Sequence, residues 1–250
     1  MGKDLKTALV DRLKQVGAFD VKIADPHMGF KHAMEGKHPL DFWPDAKSIA
    51  VYAVPMSPET NNTYIGPYSL WDGDRNLGPV PDNLVSSEYA LDRLSRLFLS
   101  SVTLKGMIFL QNKGYETRHP TIQIHLKLCA YEAGLGVYGR SGVILHPVLG
   151  NRMILGAILT DALLEPDTPL EHFNPCESCD DCIKACPGRA YDPDKDYPES
   201  WTKEKCMAKR AEIMRKGLFC HNCFASCHAG RLEDDELFLK RGAKSFYKPK

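Results

Sequence analysis

The sequence predicts an α/β (α+β) protein in which a mixed helix-and-strand region is followed by a cysteine-rich region. Helical spacings alternate with strand-like apolar runs in the first part of the chain. Eight of the nine cysteines fall between Cys176 and Cys227. The 250 residues suffice for one large domain or two small ones. We therefore predict domains over residues 1–165 and 166–230, followed by a charged tail over residues 231–250.

Apolar residues at spacings of three and four predict three helices in the first region. They are expected over residues 5–16, 85–111 and 121–133. Gly17 and Gly134 are expected to end the first and third helices. Gly106 is a weak point inside the long second helix.

Apolar runs predict three strands in the same region. Ile49–Val54 lies between two prolines and suits a buried strand. Val143–Leu145 and Met153–Thr160 are expected to pair as a hairpin around Gly150. The stretch 61–83 is rich in Gly, Pro, Asn and Tyr, so we predict a long loop of the kind that is often functional.

The second region has weak hydrophobic periodicity and few large apolar side chains. Such a segment is poorly placed to fold on its own core. Metal ligation is therefore expected to supply the missing constraint.

Charge and hydropathy exclude several function classes. Thirty-two basic residues balance 32 acidic ones, so no general field attracts nucleic acid or an anionic membrane. No apolar stretch approaches the length of a membrane span, and the first residues show no export signal. We expect a cytoplasmic protein with neither a membrane nor a nucleic acid as partner.

The string from Cys176 to Pro187 reads C-x2-C-x2-C-x3-C-P, the run of bacterial two-cluster ferredoxins. Three thiolates spaced by two residues can wrap one [4Fe-4S] cluster. The fourth, Cys186, lies about one helical turn later and points to the other cluster.

A second string, which ends in C-x2-C-x3-C, repeats the end of the first. Its last cysteine, Cys227, should by the same logic return to the first cluster. It is followed by His228, where proline is usual. We predict one ligand set of Cys176, Cys179, Cys182 and Cys227, and another of Cys186, Cys206, Cys220 and Cys223.

Structural zinc is the main alternative, because C-x2-C pairs also build zinc knuckles. Zinc takes four ligands and would leave the third cysteine of the first string without a use. A disulfide framework fits less well in the cytoplasm. Two clusters carry one electron each at low potential, so we predict electron transfer rather than a purely structural pair.

Three stretches resemble the epoxyqueuosine reductases. Residues 128–140, L-C-A-Y-E-A-G-L-G-V-Y-G-R, are similar to that family's helix and glycine loop. Residues 142–161 resemble the hairpin that follows it, and the eight cysteines match its two-cluster arrangement, including the isolated Cys206. Together the resemblance covers residues 120–228, with a weaker match over residues 44–55.

This family and its relatives, the reductive dehalogenases, imply a corrinoid (cobalamin) in a nitroreductase-like N-terminal domain, followed by a bacterial ferredoxin-like two-cluster domain. The implied cofactor-binding residues are Gly134, Gly136, Gly139, Arg140 and Gly142. Glycines let the backbone approach a large flat ligand closely. A helix stop and a turn into a strand explain the same glycines equally well.

The family's acidic proton donor does not transfer, because this chain has His119-Pro120 in its place. A nearby tyrosine, acid or histidine could donate the proton instead. The candidates are Tyr115, Glu116, His119 and His125. Each is equally explained as a surface residue or as a group hydrogen-bonded for structure.

Two functions stay open. The first is an iron-sulfur reductase that passes electrons from a ferredoxin or flavodoxin through the clusters to a corrinoid or small-molecule substrate. The second is a non-catalytic electron carrier that binds no corrinoid. The size of the N-terminal region favours the first, and the missing acid favours the second.

Overall fold

The computed structural model describes residues 2–31, 33–56, 69–72, 75–79, 87–120, 122–215, 220 and 222–229. The chain forms two compact units that interleave along the sequence. The first comprises Met1–Pro55, Arg96–Val137 and Met153–Asn174. The second comprises Met56–Ser95, Tyr138–Arg152 and Pro175–Lys250, as far as these are described. Helices and strands are mixed along the chain, as the sequence predicts.

A four-stranded antiparallel sheet organises the first unit. Its strands are β1 (Asp20–Ala24), β2 (Ser48–Pro55), β5 (Thr117–Arg118) and β8 (Met153–Thr160). Their order in the sheet is β1-β2-β8-β5. All six residues of Ile49–Val54 are fully buried, so the predicted buried strand is confirmed.

The predicted hairpin around Gly150 is wrong. The strand β7 (Ile144–Leu145) pairs with β6 (Val137–Tyr138), whereas β8 pairs with β2 along eight residues. Gly150 closes a shorter turn, in which its backbone exchanges two hydrogen bonds with His146. The eight-residue β8 forms more backbone hydrogen bonds between β2 and β5 than it could form with the two-residue β7.

The helices are Gly2–Gln15, Pro39–Phe42, Ser87–Gln111, Leu126–Glu132, Asp181–Lys184, Lys203–Met214 and Asn222–Ala225. The long second helix runs through Gly106 without a break. A Cβ atom there would lie 2.6 Å from the side chains of Leu13 and Ile158. Gly106 therefore lets this helix approach the first helix and the sheet closely, within the core of the first unit.

The third predicted helix is shorter than expected, because it begins at Leu126. Two hydrogen bonds to Lys37 hold the preceding residues in another conformation. The His125 N–H donates to the Lys37 carbonyl at 2.9 Å, and the Lys37 ammonium donates to the Ile122 carbonyl at 2.7 Å. Its predicted end at Gly134 is confirmed, since φ there is +70°.

Outside the sheet, Ser69–Asp72 (β3) and Arg75–Pro79 (β4) form an antiparallel pair. The expectation of a long loop over residues 61–83 is wrong for these two strands. The other residues of that stretch lie outside the described part of the chain. The predicted tail, residues 231–250, also lies outside the described part of the chain. Among the described residues, no helix is both long and apolar enough to cross a membrane.

Candidate metal centre

Four cysteines from the two strings open onto one recess in the second unit. They are Cys176, Cys179, Cys182 and Cys227. The empty volume of the recess is about 330 Å³, part of it open to solvent. Gly139, Arg140, Ser141, Leu145, Pro175 and Ala229 complete its lining. The first predicted ligand set is therefore gathered in one place, including the cysteine from the second string.

The local chain explains how the first string wraps this recess. The Cys179 N–H donates to the Cys176 carbonyl at 3.2 Å, which closes a tight turn. The short helix Asp181–Lys184 then presents Cys182, and the Cys186 N–H donates back to Ile183 at 3.2 Å. Pro187 cannot donate a backbone hydrogen bond, so the helical turn ends there.

The remaining four cysteines form a second group. Burial raises the pKa of the Cys223 thiol, and nearby thiolates raise it further. Burial also raises the pKa of Cys206, which has two of the same neighbours. The neighbours that act on Cys223 are Cys186, Cys206 and Cys220. Cys186, from the first string, thus lies near three cysteines of the second string, and Cys223 is also a neighbour of Cys182.

The electrostatics of both groups suit metal ligation. Burial, followed by neighbouring thiolates, raises the pKa of Cys182 to about 12. Burial also raises the pKa of Cys176, while a backbone hydrogen bond from Arg140 opposes the rise. Four thiolates cannot all ionise here without a compensating positive charge. Bound iron would supply that charge, because ligation deprotonates a coordinating thiol. The donor chemistry therefore fits iron-sulfur clusters.

None of the nine cysteines forms a disulfide, and all nine lie within the described residues. Across the described part of the chain, no three His, Cys, Asp or Glu side chains converge as they would around one metal ion. Cys129, the ninth cysteine, is fully buried in the first unit and burial raises the pKa of its thiol. It behaves as a small apolar core residue, apart from both groups.

The predicted cofactor-binding glycines pack mainly against protein. A Cβ atom at Gly134 would lie 2.0 Å from the Thr168 carbonyl oxygen, and one at Gly142 would lie 2.4 Å from the Tyr197 ring. A Cβ atom at Gly139 would lie 2.7 Å from the Leu145 side chain and 3.5 Å from the Cys176 sulfur. These close approaches explain why glycine is needed at the three positions without a flat ligand. Gly136 is buried.

Arg140 belongs to the cysteine recess. Its guanidinium donates to the Pro193 carbonyl, and its positive charge lowers the pKa of Cys176. Gly139 and Arg140 therefore lie beside the first cysteine group. The sequence places them near the cysteines only through the family resemblance, since no local pattern links the two segments.

The four candidate acids all lie in the first unit. Tyr115 is half-buried and lines an open groove of about 520 Å³ with Asp4, Leu5, Ala8 and Lys113. Glu116 is exposed, and its carbonyl accepts a hydrogen bond from Thr160 at 2.9 Å. Among the described lining residues, Tyr115 is the only candidate acid in this groove.

The two histidines differ in their surroundings. His119 is exposed, and its Nδ1 lies 3.3 Å from the Ala157 carbonyl. His125 precedes the helix Leu126–Glu132, and burial lowers its pKa. Its Nδ1 is buried and has no hydrogen-bond partner among the described residues. The neutral imidazole is therefore favoured at His125. This form suits a hydrogen-bonding role better than the role of a general acid.

Two contacts near the cysteines escaped prediction. His228 Nε2 lies 2.9 Å from Asp181 Oδ2, beside Cys182 in the short helix. Tyr191 and Trp201 form an isolated antiparallel bridge near Cys223 and Cys206. Neither pair has a sequence signal, because no periodic pattern joins the two partners.

Two kinds of solved structure share this fold. The epoxyqueuosine reductase of Bacillus subtilis matches 94% of this chain and 67% of its own, with a TM-score of 0.60 and 19% identity. A catabolic reductive dehalogenase matches 94% of this chain and 33% of its own, with a TM-score of 0.69 and 19% identity. At such identities these matches show the fold alone.

Curated sequences carry the same two names. The epoxyqueuosine reductase of Listeria monocytogenes is 32% identical over 113 residues, which are 42% of this chain and 29% of that protein. The tetrachloroethene reductive dehalogenase of Desulfitobacterium hafniense is 28% identical over 155 residues, 54% of this chain and 28% of that protein. No family model matches the sequence.

The chain is a relative of the epoxyqueuosine reductases and the reductive dehalogenases, so the predicted resemblance is confirmed. The matched part spans less than a third of the length of the two curated relatives.

Proposed function

We propose that this chain is the electron-transferring core of a reductase and holds two [4Fe-4S] clusters. Cys176, Cys179, Cys182 and Cys227 would hold one cluster, and Cys186, Cys206, Cys220 and Cys223 the other. The observation that carries the proposal is the exchange of cysteines between the two strings. Two independent zinc knuckles would each keep to their own string.

The clusters, when bound, supply one-electron transfer at potentials that can be very low. The protein's part is to gather the thiolates, cover them and adjust their surroundings. Arg140 contributes a positive charge and a backbone donor at Cys176. These contacts compensate part of the negative charge that a ligated cluster brings into the recess.

The relatives are reductases by name, which supports a reductase here. Electrons would arrive singly from a reduced ferredoxin or flavodoxin and leave to an oxidised small-molecule substrate, in the cytoplasm. One related epoxyqueuosine reductase was solved with a tRNA stem loop. For this chain we still propose no nucleic-acid partner, because its formal net charge is zero.

A corrinoid is the second candidate cofactor. It is favoured by the fold shared with a reductive dehalogenase whose structure suggests a mechanism for B12-dependent dehalogenation. The glycine segment adds no support, since Gly134, Gly139 and Gly142 pack against protein atoms. Tyr115, Glu116, His119 and His125 stay predictions for the proton donor. If no corrinoid binds, the alternative of a pure electron carrier gains support.

The experiment is an anaerobic reductive titration of the reconstituted protein. We expect uptake of about two electrons per chain, one for each cluster, followed by their return to an oxidised acceptor. Cys220→Ser should remove about half of this capacity. Cys129→Ala is the matched control and should keep all of it. Uptake that does not depend on Cys220 would contradict the proposal.

Cobalamin titration of the same preparation separates the two candidates. Binding would appear as a change in the corrinoid spectrum and as protection against thermal unfolding. If cobalamin binds to neither the oxidised nor the reduced protein, the electron-carrier function is the one that remains.

A further inference from the structure

A buried turn in the second unit holds Asn151 in a fixed position. The turn runs from His146 to Gly150, and these two residues exchange backbone hydrogen bonds of 2.9 and 2.8 Å. The imidazole Nδ1 of His146 accepts from the amides of Val148 and Leu149, at 3.0 and 3.2 Å. His146, Leu149 and Asn151 are all buried. Asn151, the residue after the turn, is therefore anchored by its neighbours in the sequence.

The Asn151 side chain reaches the second cysteine string. It is 1% exposed, and its Nδ2 donates to the Phe224 carbonyl at 2.7 Å. A carbonyl oxygen can only accept, so the nitrogen of the amide must be the atom that faces Phe224. The Oδ1 of Asn151 is buried and has no hydrogen-bond partner among the described residues. The contact with Phe224 therefore sets the orientation of the amide.

The Phe224 carbonyl is also the acceptor that fixes the backbone of Cys227. The Cys227 N–H donates to it at 3.3 Å, just after the short helix Asn222–Ala225. A carbonyl oxygen has two lone pairs, so it can accept from Asn151 and from Cys227 together. The position of Cys227 is thus tied to Asn151 through one shared atom.

This tie matters because the second string buries little of its own surface. No residue of the helix Asn222–Ala225 is buried. Apolar burial is the main favourable term that orders a folded segment, and it is small here. Polar contacts and metal ligation must therefore supply more of the constraint on this string.

The other end of the same segment faces the recess. Leu145, which precedes His146, lines the recess together with Cys176 and Cys227. Residues 145–151 therefore contact the recess at their start and the second string at their end. This segment relates the place of Cys227 to the place of the first string.

We propose that Asn151 is a positioning residue for the first cluster, the one assigned to Cys176, Cys179, Cys182 and Cys227. Asn151 would act through the Phe224 carbonyl, which it shares with the Cys227 amide. This inference depends on the proposed function, since it assumes that Cys227 is a ligand. Without the donor, the turn that carries Cys227 loses a constraint, so the ligand from the second string is held less well.

The test replaces Asn151 by leucine, whose side chain has the same branched shape but no donor. Leucine also removes the unpaired Oδ1, and a buried acceptor without a partner costs stability, so we expect Asn151→Leu to fold. Asn151→Ala is the second variant. Ser200→Ala is the matched control, because Ser200 is 1% exposed in the same unit and its hydroxyl has no partner among the described residues.

Iron and sulfide are counted after anaerobic reconstitution, and paramagnetic resonance spectra of the reduced proteins follow. Cys179→Ser and Cys220→Ser assign the signals of the first and second clusters. We expect both Asn151 variants to change the signal of the first cluster as Cys227→Ser does, and to keep the signal of the second. Ser200→Ala should match the unchanged protein.

A double-mutant comparison separates positioning from general stabilisation. If Asn151 acts through Cys227, Asn151→Leu should change the first cluster no further when Cys227→Ser is already present. An unchanged first-cluster signal in both Asn151 variants would overturn the inference. Equal loss of both clusters, or a further loss in the double variant, would also overturn it, because Asn151 would then support the fold in general. Absence of clusters from the unchanged protein would instead refute the proposed function, and this inference with it.

Discussion

Cys227 opens onto the same recess as Cys182, although the two cysteines belong to different strings of the sequence. The short helices that carry the two strings, Asp181–Lys184 and Asn222–Ala225, lie next to each other. Each string therefore contributes its last cysteine to the neighbouring group. The structure gathers the four cysteines of the first predicted set around this recess, and the binding of clusters by the two sets stays a prediction.

Substitution of the last cysteine of either string should damage the cluster that is held mainly by the other string. Cys227→Ser should alter the cluster of Cys176, Cys179 and Cys182, and Cys186→Ser should alter the other. The reason is that each loses one of four ligands. Resonance spectra of the reduced proteins and iron content check this. Spectra in which each variant perturbs the cluster of its own string would show that the ligands do not cross over.

The contact between His228 and Asp181 should contribute little to stability. Both side chains are largely exposed, at 61% and 40%. Exposed pairs of this kind contribute about 0–1 kcal/mol. We expect His228→Gln to keep its iron and to change the free energy of unfolding by less than about 1 kcal/mol. Loss of iron in this variant would mean that the residue after Cys227 helps to hold the cluster.

Gly134→Ala should destabilise the first unit more than Gly36→Ala does. Both glycines have φ near +70°, so both substitutions strain the backbone by about 1 kcal/mol. At Gly134 the new methyl group would also meet the Thr168 carbonyl at 2.0 Å, whereas nothing lies within 4 Å at Gly36. We expect a loss of about 3 kcal/mol or more for Gly134→Ala, measured by denaturant unfolding. Equal losses would show that backbone strain alone explains this glycine.

Tyr52→Phe should remove a buried hydrogen bond between Tyr52 and Thr103 in the first unit. The Thr103 hydroxyl donates to the Leu99 carbonyl, so it accepts from Tyr52. Removing the donor should lower the free energy of unfolding by about 1–2 kcal/mol. Tyr52→Phe paired with Thr103→Val in a double-mutant cycle measures the coupling.

The same pair predicts a pH dependence. Burial raises the pKa of Tyr52 above its ordinary value of 10.0. The buried, neutral Tyr52 hydroxyl contributes its full stability below pH 10. This contribution is lost as the pH rises above 10, because the tyrosine then ionises in the unfolded state but not in the folded state. Stability of the unchanged protein should fall in alkali more steeply than that of Tyr52→Phe. Parallel pH profiles would argue against burial of this hydroxyl.

Patterns that are local in sequence predicted much of the fold. The strand Ile49–Val54 follows from a continuous apolar run, and the helix around Gly106 follows from apolar periodicity. The helix end at Gly134 follows from the glycine itself, which adopts a positive φ. The pairing of Met153–Thr160 did not follow, because its partner in the sheet comes a hundred residues earlier in the chain. A turn signal at Gly150 cannot tell a hairpin from a turn into another sheet.

The site was predictable to the extent that its residues carry their own spacing. The cysteines do, and the four that the spacing assigns to one cluster line one recess. Tyr191 and Trp201 do not, because an aromatic residue in a loop has many ordinary uses. The boundary near residue 165 stays a prediction as well. The two compact units interleave, so neither is a single stretch of sequence.

Counting iron and acid-labile sulfide in anaerobically prepared protein tests the central claim most directly. Two four-iron clusters predict about eight iron and about eight sulfide per chain. Cys182→Ala and Cys223→Ala should each reduce both counts together, whereas Cys129→Ala should leave them unchanged. Stoichiometric zinc without sulfide would contradict the account.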